Sequence, residues 1–211
     1  CFARKGQGKK TAVFLREDRF YLEEIMEHTG SRPLQTKRLL LRPFCEEDAQ
    51  AMFRNWASDG EVTKYLTWTP HENAEQTRAI LKMWQAEAKN ADCYHWAIVF
   101  GGEAIGDISV VFADVHNERG VIGYCLSRKF WGRGLMTEAL SEVTRYLFEE
   151  AGFFRLEAMY STRNPASGRV MEKCGYLYEG TFRKHFKLLS TGERTDIVQR
   201  AILREDYFAR K

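Results

Sequence analysis

Two glycines, Gly132 and Gly134, flank Arg133 immediately ahead of a stretch whose apolar residues recur at helical spacing. Leu135, Met136, Ala139, Leu140, Val143, Leu147 and Phe148 share one face, with Glu138, Glu142 and Arg145 outside it, the pattern of a helix buried along one side. The first amides of a helix have no intrahelical acceptor and lie at the positive end of its dipole. A helix that opens on glycines, which let a ligand approach the backbone, is therefore a site for a phosphate group. The same glycines also suit an ordinary strand-to-helix turn with positive φ. Thr137 stands where a dinucleotide fingerprint needs its third glycine, and no Gly-Lys-Ser/Thr is present, so neither common nucleotide loop is built here. A different phosphate-bearing cofactor is implied.

A second stretch, RNPASGRVMEKCGY, has the grammar of a short capped helix. Asn164 suits the N-cap and Pro165 the first helical position, Val170 and Cys174 share a face, and Gly175 is a natural stop. Five cysteines (Cys1, Cys45, Cys93, Cys125, Cys174) are scattered without a Cys-x-x-Cys pair or a ligand spacing. They read as reduced thiols, and the Cys93 and His95 pair reads as strand packing, with no metal assigned.

The elements that position these stretches follow from periodicity. Val121 to Leu126 is a strand that feeds the glycine turn, and Phe154 to Tyr160 alternates as a second strand after the intervening helix. A strand, a crossover helix and a strand imply a parallel pair. Ahead of them, Arg38 to Arg42 is a first strand ended by Pro43, Glu46 to Ala57 and Glu72 to Asn90 are helices, and Ser58 to Pro70 is a turn-rich link. Tyr94 to Phe100 and Ala104 to Phe112 form a hairpin around Gly101 and Gly102. Tyr176 to Phe182 and Thr195 to Leu203 close the chain as strands around a polar turn at Ser190 to Glu193. Three antiparallel strands precede the glycine turn, unlike a doubly wound dinucleotide fold, so the class is mixed α/β.

With 211 residues the chain is long enough for one large domain, and 44% hydrophobic content marks it as globular. Basic residues number 32 against 29 acidic, leaving +3, with no sustained basic run beyond RKGQGKK, so nucleic acid is not a leading partner. No apolar run reaches the length of a membrane span and no secretory signal is evident, which points to a cytoplasmic location. Residue 1 is Cys, so a longer or processed product is expected. Residues 1–33 read as an extension, with Asp18 as N-cap of a short helix through Leu22, Ile25, Met26 and Thr29 that ends at Gly30. That helix would pack on the main domain, 34–211, or on a second subunit of a homodimer.

Taken together, Ile122-Gly123-Tyr124, Trp131-Gly132-Arg133-Gly134-Leu135, Glu138-Ala139, Asn164-Pro165-x-Ser167 and Lys173-x-Gly175-Tyr176 resemble the GNAT superfamily of acyl-CoA-dependent N-acetyltransferases. Within it they resemble the branch that includes bacterial ribosomal-protein N-terminal acetyltransferases, over about Leu34 to Leu203. The family's phosphate loop usually begins with Gln or Arg and ends with Gly or Ala, where Trp131 and Met136 stand here. The resemblance implies a mostly antiparallel sheet whose two central parallel strands splay apart around the pantetheine arm of acetyl-CoA. Backbone groups of Tyr124 and Leu126 would hold that arm, amides from Gly132 through Arg133, Gly134, Leu135 and Met136 to Thr137 would receive the pyrophosphate, and Asn164 would border the cofactor. Gly123 would serve a bulge that opens the strand.

The resemblance also implies the chemistry. A backbone N–H at Leu126 would face the developing oxyanion, and Ser167 would supply the hydroxyl for the leaving thiolate. Many relatives use instead a tyrosine seven residues after Asn164, where Met171 stands. Ser167 also reads as a first-turn helix serine bonding the backbone. The position of the branch's glutamate base falls on Phe186, beside His185, which leaves His185 as a weak stand-in. Tyr65 and Trp68, with the turn Lys187 to Thr195, would wall the acceptor side. The acceptor implied first is a peptide or protein N-terminus, then a small amine metabolite or antibiotic. A non-catalytic acyl-CoA-binding module is the reading from another class.

Overall fold

The computed structural model describes residues 11–16, 19–24 and 28–211. Its centre is an eight-stranded sheet of order β3-β4-β5-β6-β7-β8-β10-β9. The strands are β3 (Leu34–Gln35), β4 (Leu40–Arg42), β5 (His95–Phe100), β6 (Glu103–Asp114), β7 (Arg119–Leu126), β8 (Arg155–Ser161), β9 (Leu177–Lys187) and β10 (Arg194–Leu203). Every neighbouring pair is antiparallel except β7 and β8. The mixed α/β class with one parallel crossover is as the sequence implies.

Period-2 alternation along the strands separates two cores. On β5, Trp96 and Ile98 join one cluster while Ala97 and Val99 join the other. The first cluster packs against α4 (Leu135–Glu149) and α5 (Pro165–Lys173), with Leu140, Val143, Leu147 and Phe148 all at 0% exposure. Each such side chain stabilises the fold by about 2 kcal/mol relative to exposure, which seats α4 firmly on the sheet. The second cluster lies on the opposite face beneath α1 (Asp48–Met52), a π-helical turn at Phe53–Ala57, α2 (Gly60–Thr63) and α3 (Ala74–Glu87).

Several boundaries differ from the periodicity. The helix expected from Glu46 to Ala57 widens into the π turn, where Ser58 N–H donates to the Phe53 carbonyl at 3.2 Å. A short α6 (Arg204–Phe208) follows β10. The largest correction falls in the N-terminal extension. Instead of a helix, β1 (Thr11–Arg16) and β2 (Arg19–Glu24) pair antiparallel as a separate sheet, with Val13 opposite Leu22 and Leu15 opposite Phe20. Thr11, Val13, Phe14, Phe20 and Tyr21 are β-branched or aromatic, and this strand preference outweighs the weak helical spacing that rested on Leu22. Asp18, Ile25 and Met26 lie outside the described residues. Thr29 is not helical: its N–H donates to the Tyr94 hydroxyl at 3.1 Å and its own hydroxyl meets that of Tyr146 at 2.6 Å.

One feature of the sheet positions the site. β7 and β8 pair only from Arg119 opposite Arg155 to Ile122 opposite Ala158. β7 then stays with β6 as far as Leu126, and β8 stays with β10 as far as Ser161. The two halves of the sheet therefore diverge beyond Ile122 and leave a gap.

Candidate functional site

The β7 edge along this gap has unused hydrogen-bonding capacity. Ser127 N–H donates to the Ile105 carbonyl at 2.8 Å, and bonding along an antiparallel pair alternates in steps of two. Cys125 and Gly123 accordingly turn their amides toward β6, while Tyr124 and Leu126 turn theirs toward the gap. The Leu126 carbonyl is taken by Trp131 Nε1 at 2.7 Å, which ties the glycine turn back to the strand. The irregularity that sharpens this region is on β6, not at Gly123: the register shifts between Val110 and Phe112, around Val111. Gly123 instead leaves room for that bulge, since a Cβ there would stand 2.9 Å from Val111 Cγ1.

Beyond a single turn of 3₁₀ helix at Arg128–Phe130, the chain reaches Gly132 and Gly134, both with φ in the left-handed region (74° and 75°). Glu138 N–H is bonded to the Gly134 carbonyl at 3.1 Å, so Leu135, Met136 and Thr137 carry the free first-turn amides of α4. A brace holds this turn. Glu138 accepts from Arg38 Nε at 2.6 Å, from the Arg38 amide at 2.8 Å and from the Thr36 hydroxyl at 2.7 Å, and Arg38 Nη1 donates to the Arg133 carbonyl at 3.0 Å. Occupying that carbonyl leaves the turn's N–H groups as the polarity free to meet a ligand.

Across the gap, the Tyr124 phenol donates to the Ser167 carbonyl at 3.0 Å and lies 2.9 Å from the Ser167 hydroxyl. Ser167 is held in the first turn of α5, where its N–H donates to Asn164 Oδ1 at 3.4 Å. Burial pushes the Tyr124 phenol well above its ordinary value despite the Ser167 bond; it stays protonated at any working pH and acts as a hydrogen-bonding group, not as a base.

These groups line one cleft of about 390 Å³. Its walls are Tyr124, Cys125 and Leu126 of β7, Gly132, Gly134, Leu135, Met136 and Thr137 of the turn and α4, Asn164, Ser167, Arg169 and Lys173 around α5, and Glu61, Lys64 and Tyr65 from α2 and its sequel. Several expected residues fall elsewhere. Trp68 is outside the lining; it packs on the second core and stacks with His71 at 5.3 Å. Arg133 is also outside, its guanidinium 5.2 Å from the Phe130 ring. His185 is exposed on β9 beside Phe182 and does not reach the cleft, because β9 is the sheet's outer edge. Lys187 and Arg194 are likewise outside the lining, although Ser190 of the same turn donates to the Lys64 carbonyl at 3.1 Å and Glu193 pairs with Arg163. Met171, at the place of the missing tyrosine, is core. Sequence reasoning missed the Arg38 brace and the Tyr124 phenol, the latter because Tyr124 reads as a strand residue valued for its backbone.

Comparison with known proteins decides the family. The Acetyltransferase (GNAT) domain matches residues 38–177. The chain belongs to the GNAT acetyltransferase family. It is an acetyl-CoA-dependent N-acetyltransferase, and acetyl-CoA is its cosubstrate. The GNAT chain is similar to the uncharacterized N-acetyltransferase p20 of Bacillus licheniformis, with 31% identity over 82% of this chain and 97% of that one. It is similar also to the [Ribosomal protein uS5]-alanine N-acetyltransferase of Escherichia coli K12, at 28% identity over 82% of this chain and 92% of that one. The crystal structure of the GNAT-family acetyltransferase from Bacillus anthracis superposes with a TM-score of 0.71 at 28% identity, covering 82% and 99% of the two chains. Among the described residues no helix is long and apolar enough to cross a membrane.

Proposed function

We propose that this acetyltransferase acts on the α-amine of a peptide or protein N-terminus. The observation that carries the reading is the convergence, in one cleft, of the unpaired Tyr124 and Leu126 edge, the α4 N-terminus and the Ser167 hydroxyl. The gap is a ready place for an extended amide-bearing arm, which would add to β7 as another strand does. The free amides of Leu135, Met136 and Thr137 fit a pyrophosphate, with Arg169 and Lys173 adding positive charge nearby.

Bound acetyl-CoA supplies an activated acyl carbon as its thioester. The chain's own groups then divide the work. The Leu126 N–H, facing the gap, meets the oxygen on which negative charge develops, a fixed donor of the kind that contributes several kcal/mol in a dry site. Ser167, held beside the Tyr124 phenol, gives a hydrogen bond to the departing sulfur. The acceptor must arrive as a neutral amine. An α-amine with a pKa near 8 is far easier to deprotonate than a lysine side chain near 10.4, and this favours a chain terminus. Tyr65 offers an aromatic face to the incoming chain, and one relative, at 28% identity, is a ribosomal-protein alanine N-acetyltransferase. The test is an assay against peptides with free and blocked N-termini, a polyamine and an aminoglycoside. Turnover of the free-terminus peptides alone is expected; exclusive turnover of the small amines would reject the peptide acceptor.

A further inference from the structure

The mechanism above leaves the acceptor's proton without a destination, and a carboxylate it does not use lies just behind the cleft wall. Asp107 on β6 is directly opposite Cys125 on β7. Cys125 lines the cleft and is 8% exposed; its thiol donates to Asp107 Oδ1 at 2.7 Å. On the other side, His95 Nε2 lies 3.0 Å from Asp107 Oδ2, and the His95 and Asp107 side chains are each 15% exposed. The groups that face Asp107 are therefore Cys125 from β7 and His95 from β5. α3 and the segment before α1 pack the Trp84 and Phe44 rings on His95 at 4.3 and 5.2 Å.

This company is unusual for a carboxylate in the interior. Buried Asp48 is paired with Arg42, and buried Glu157 with both Arg119 and Arg155. A carboxylate locked to a guanidinium is a poor base, because accepting a proton breaks the pair. Asp107 is held instead by a thiol and an imidazole, with no guanidinium or ammonium bonded to it among the described residues. Glu61, the carboxylate of the lining itself, stands on the rim with a 58% exposed side chain beside Lys64 at 3.6 Å.

We propose that Asp107 takes the proton of the acceptor amine, with the Cys125 thiol as the link to the cleft and His95 as a positioning residue; this rests on the chain-terminus acceptor proposed above. In the step, an N–H bond of the ammonium breaks and its proton joins Cys125 Sγ as the thiol's own proton passes to Asp107 Oδ1. The amine is left neutral, the thiol is re-formed and the carboxyl is uncharged. His95 Nε2–H holds Oδ2 throughout, and Asp107 is reset by losing its proton to water on its partly exposed side.

The test is the pH profile of kcat with a free-terminus peptide, measured beside the acetyl-CoA binding constant. Asp107→Asn keeps an oxygen to receive the thiol hydrogen and keeps the shape, so it preserves a structural role and removes only proton acceptance. Its kcat is expected to fall about 100-fold near neutrality, with the deficit shrinking above about pH 8 as the free amine comes to predominate, and with acetyl-CoA affinity unchanged. Cys125→Ala should reproduce that profile, while Cys125→Ser, whose hydroxyl can carry the proton, should keep most activity; this pair stands in if Asp107→Asn does not fold. A wild-type profile in Asp107→Asn, a deficit equal at every pH, or a profile moved by Glu61→Gln instead would overturn the assignment. A wild-type protein that leaves the free-terminus peptide unacetylated would overturn the chain-terminus reading and this step with it, an outcome distinct from the other three.

Discussion

On the proposed mechanism Ser167 and Gly134 serve separable parts of the reaction, one the leaving sulfur and one the cofactor's phosphates. The Ser167 hydroxyl is useful mainly once charge develops on the leaving sulfur, so Ser167→Ala should lower kcat about tenfold while acetyl-CoA binding stays nearly unchanged. Intact kcat in that variant would reduce the hydroxyl to a helix-cap accessory. Gly134 sits at φ 75° as the N-cap of α4. Asp at this position is strained by about 1 kcal/mol, its Cβ would stand 3.6 Å from Arg38 Nη2, where the carboxylate competes for the guanidinium that braces the turn, and it adds negative charge at the helix N-terminus, so Gly134→Asp should weaken acetyl-CoA binding at least about tenfold, or 1.4 kcal/mol. Calorimetric titration checks this, and unchanged affinity in a folded variant would contradict the phosphate assignment. Both residues were legible in the sequence because glycine pairs and Asn-Pro-x-Ser have local signatures. The Tyr124 phenol was not: its meeting with Ser167 joins residues 43 apart in the chain and depends on how far β7 and α5 stand from each other.

The elements show where local patterns suffice and where they compete. α4 was readable because its buried stripe is long and its start is marked by glycines. The N-terminal extension was not, since a short helical spacing that rested on Leu22 competed with the β-branched and aromatic residues of Thr11–Arg16 and Arg19–Glu24, which pair as β1 and β2. The brace was equally hidden. Glu138 reads as a solvent-facing helix residue, yet it receives Thr36 and Arg38 from the segment that leads into β4. Burial would raise the Glu138 carboxyl, but the Thr36 and Arg38 hydrogen bonds outweigh it and hold it below the ordinary carboxylate range. Glu138→Ala should free Arg38 from the Arg133 carbonyl and loosen the turn. The expected result is a severalfold rise in KM for acetyl-CoA with kcat little changed; an unaltered KM would mean that the turn needs no brace.

For the molecule as a whole, the decisive feature is that β7 and β8 part after Ile122, and no local pattern encodes that. It follows from β8 keeping its partnership with β10 while β7 keeps its own with β6; only the resemblance anticipated it. Stability is distributed over both cores, and the second is closed by a mostly buried ion pair, Arg42 with Asp48 at 2.7 Å. Burial pushes the Asp48 carboxyl up, but hydrogen bonds from Arg42 and the Cys45 amide outweigh this and set it below its ordinary value. A carboxylate with a depressed folded-state pKa stabilises above its unfolded value, near 4, and that stability is lost as the pH falls through the folded one. Asp48→Asn should therefore cost about 3 kcal/mol at neutral pH, a deficit that shrinks in acid; equal melting of the two proteins at neutrality would contradict it. On our proposal the splayed cleft moves an acetyl group from acetyl-CoA to a primary amine at a chain terminus. The most direct test of this transfer is to incubate the protein with acetyl-CoA and a free-terminus peptide and to count CoA thiol released against peptide acetylated. One CoA released for each peptide acetylated at its α-amine is the predicted result, whereas acetyl-CoA that binds and stays intact while the peptide is unchanged would contradict it.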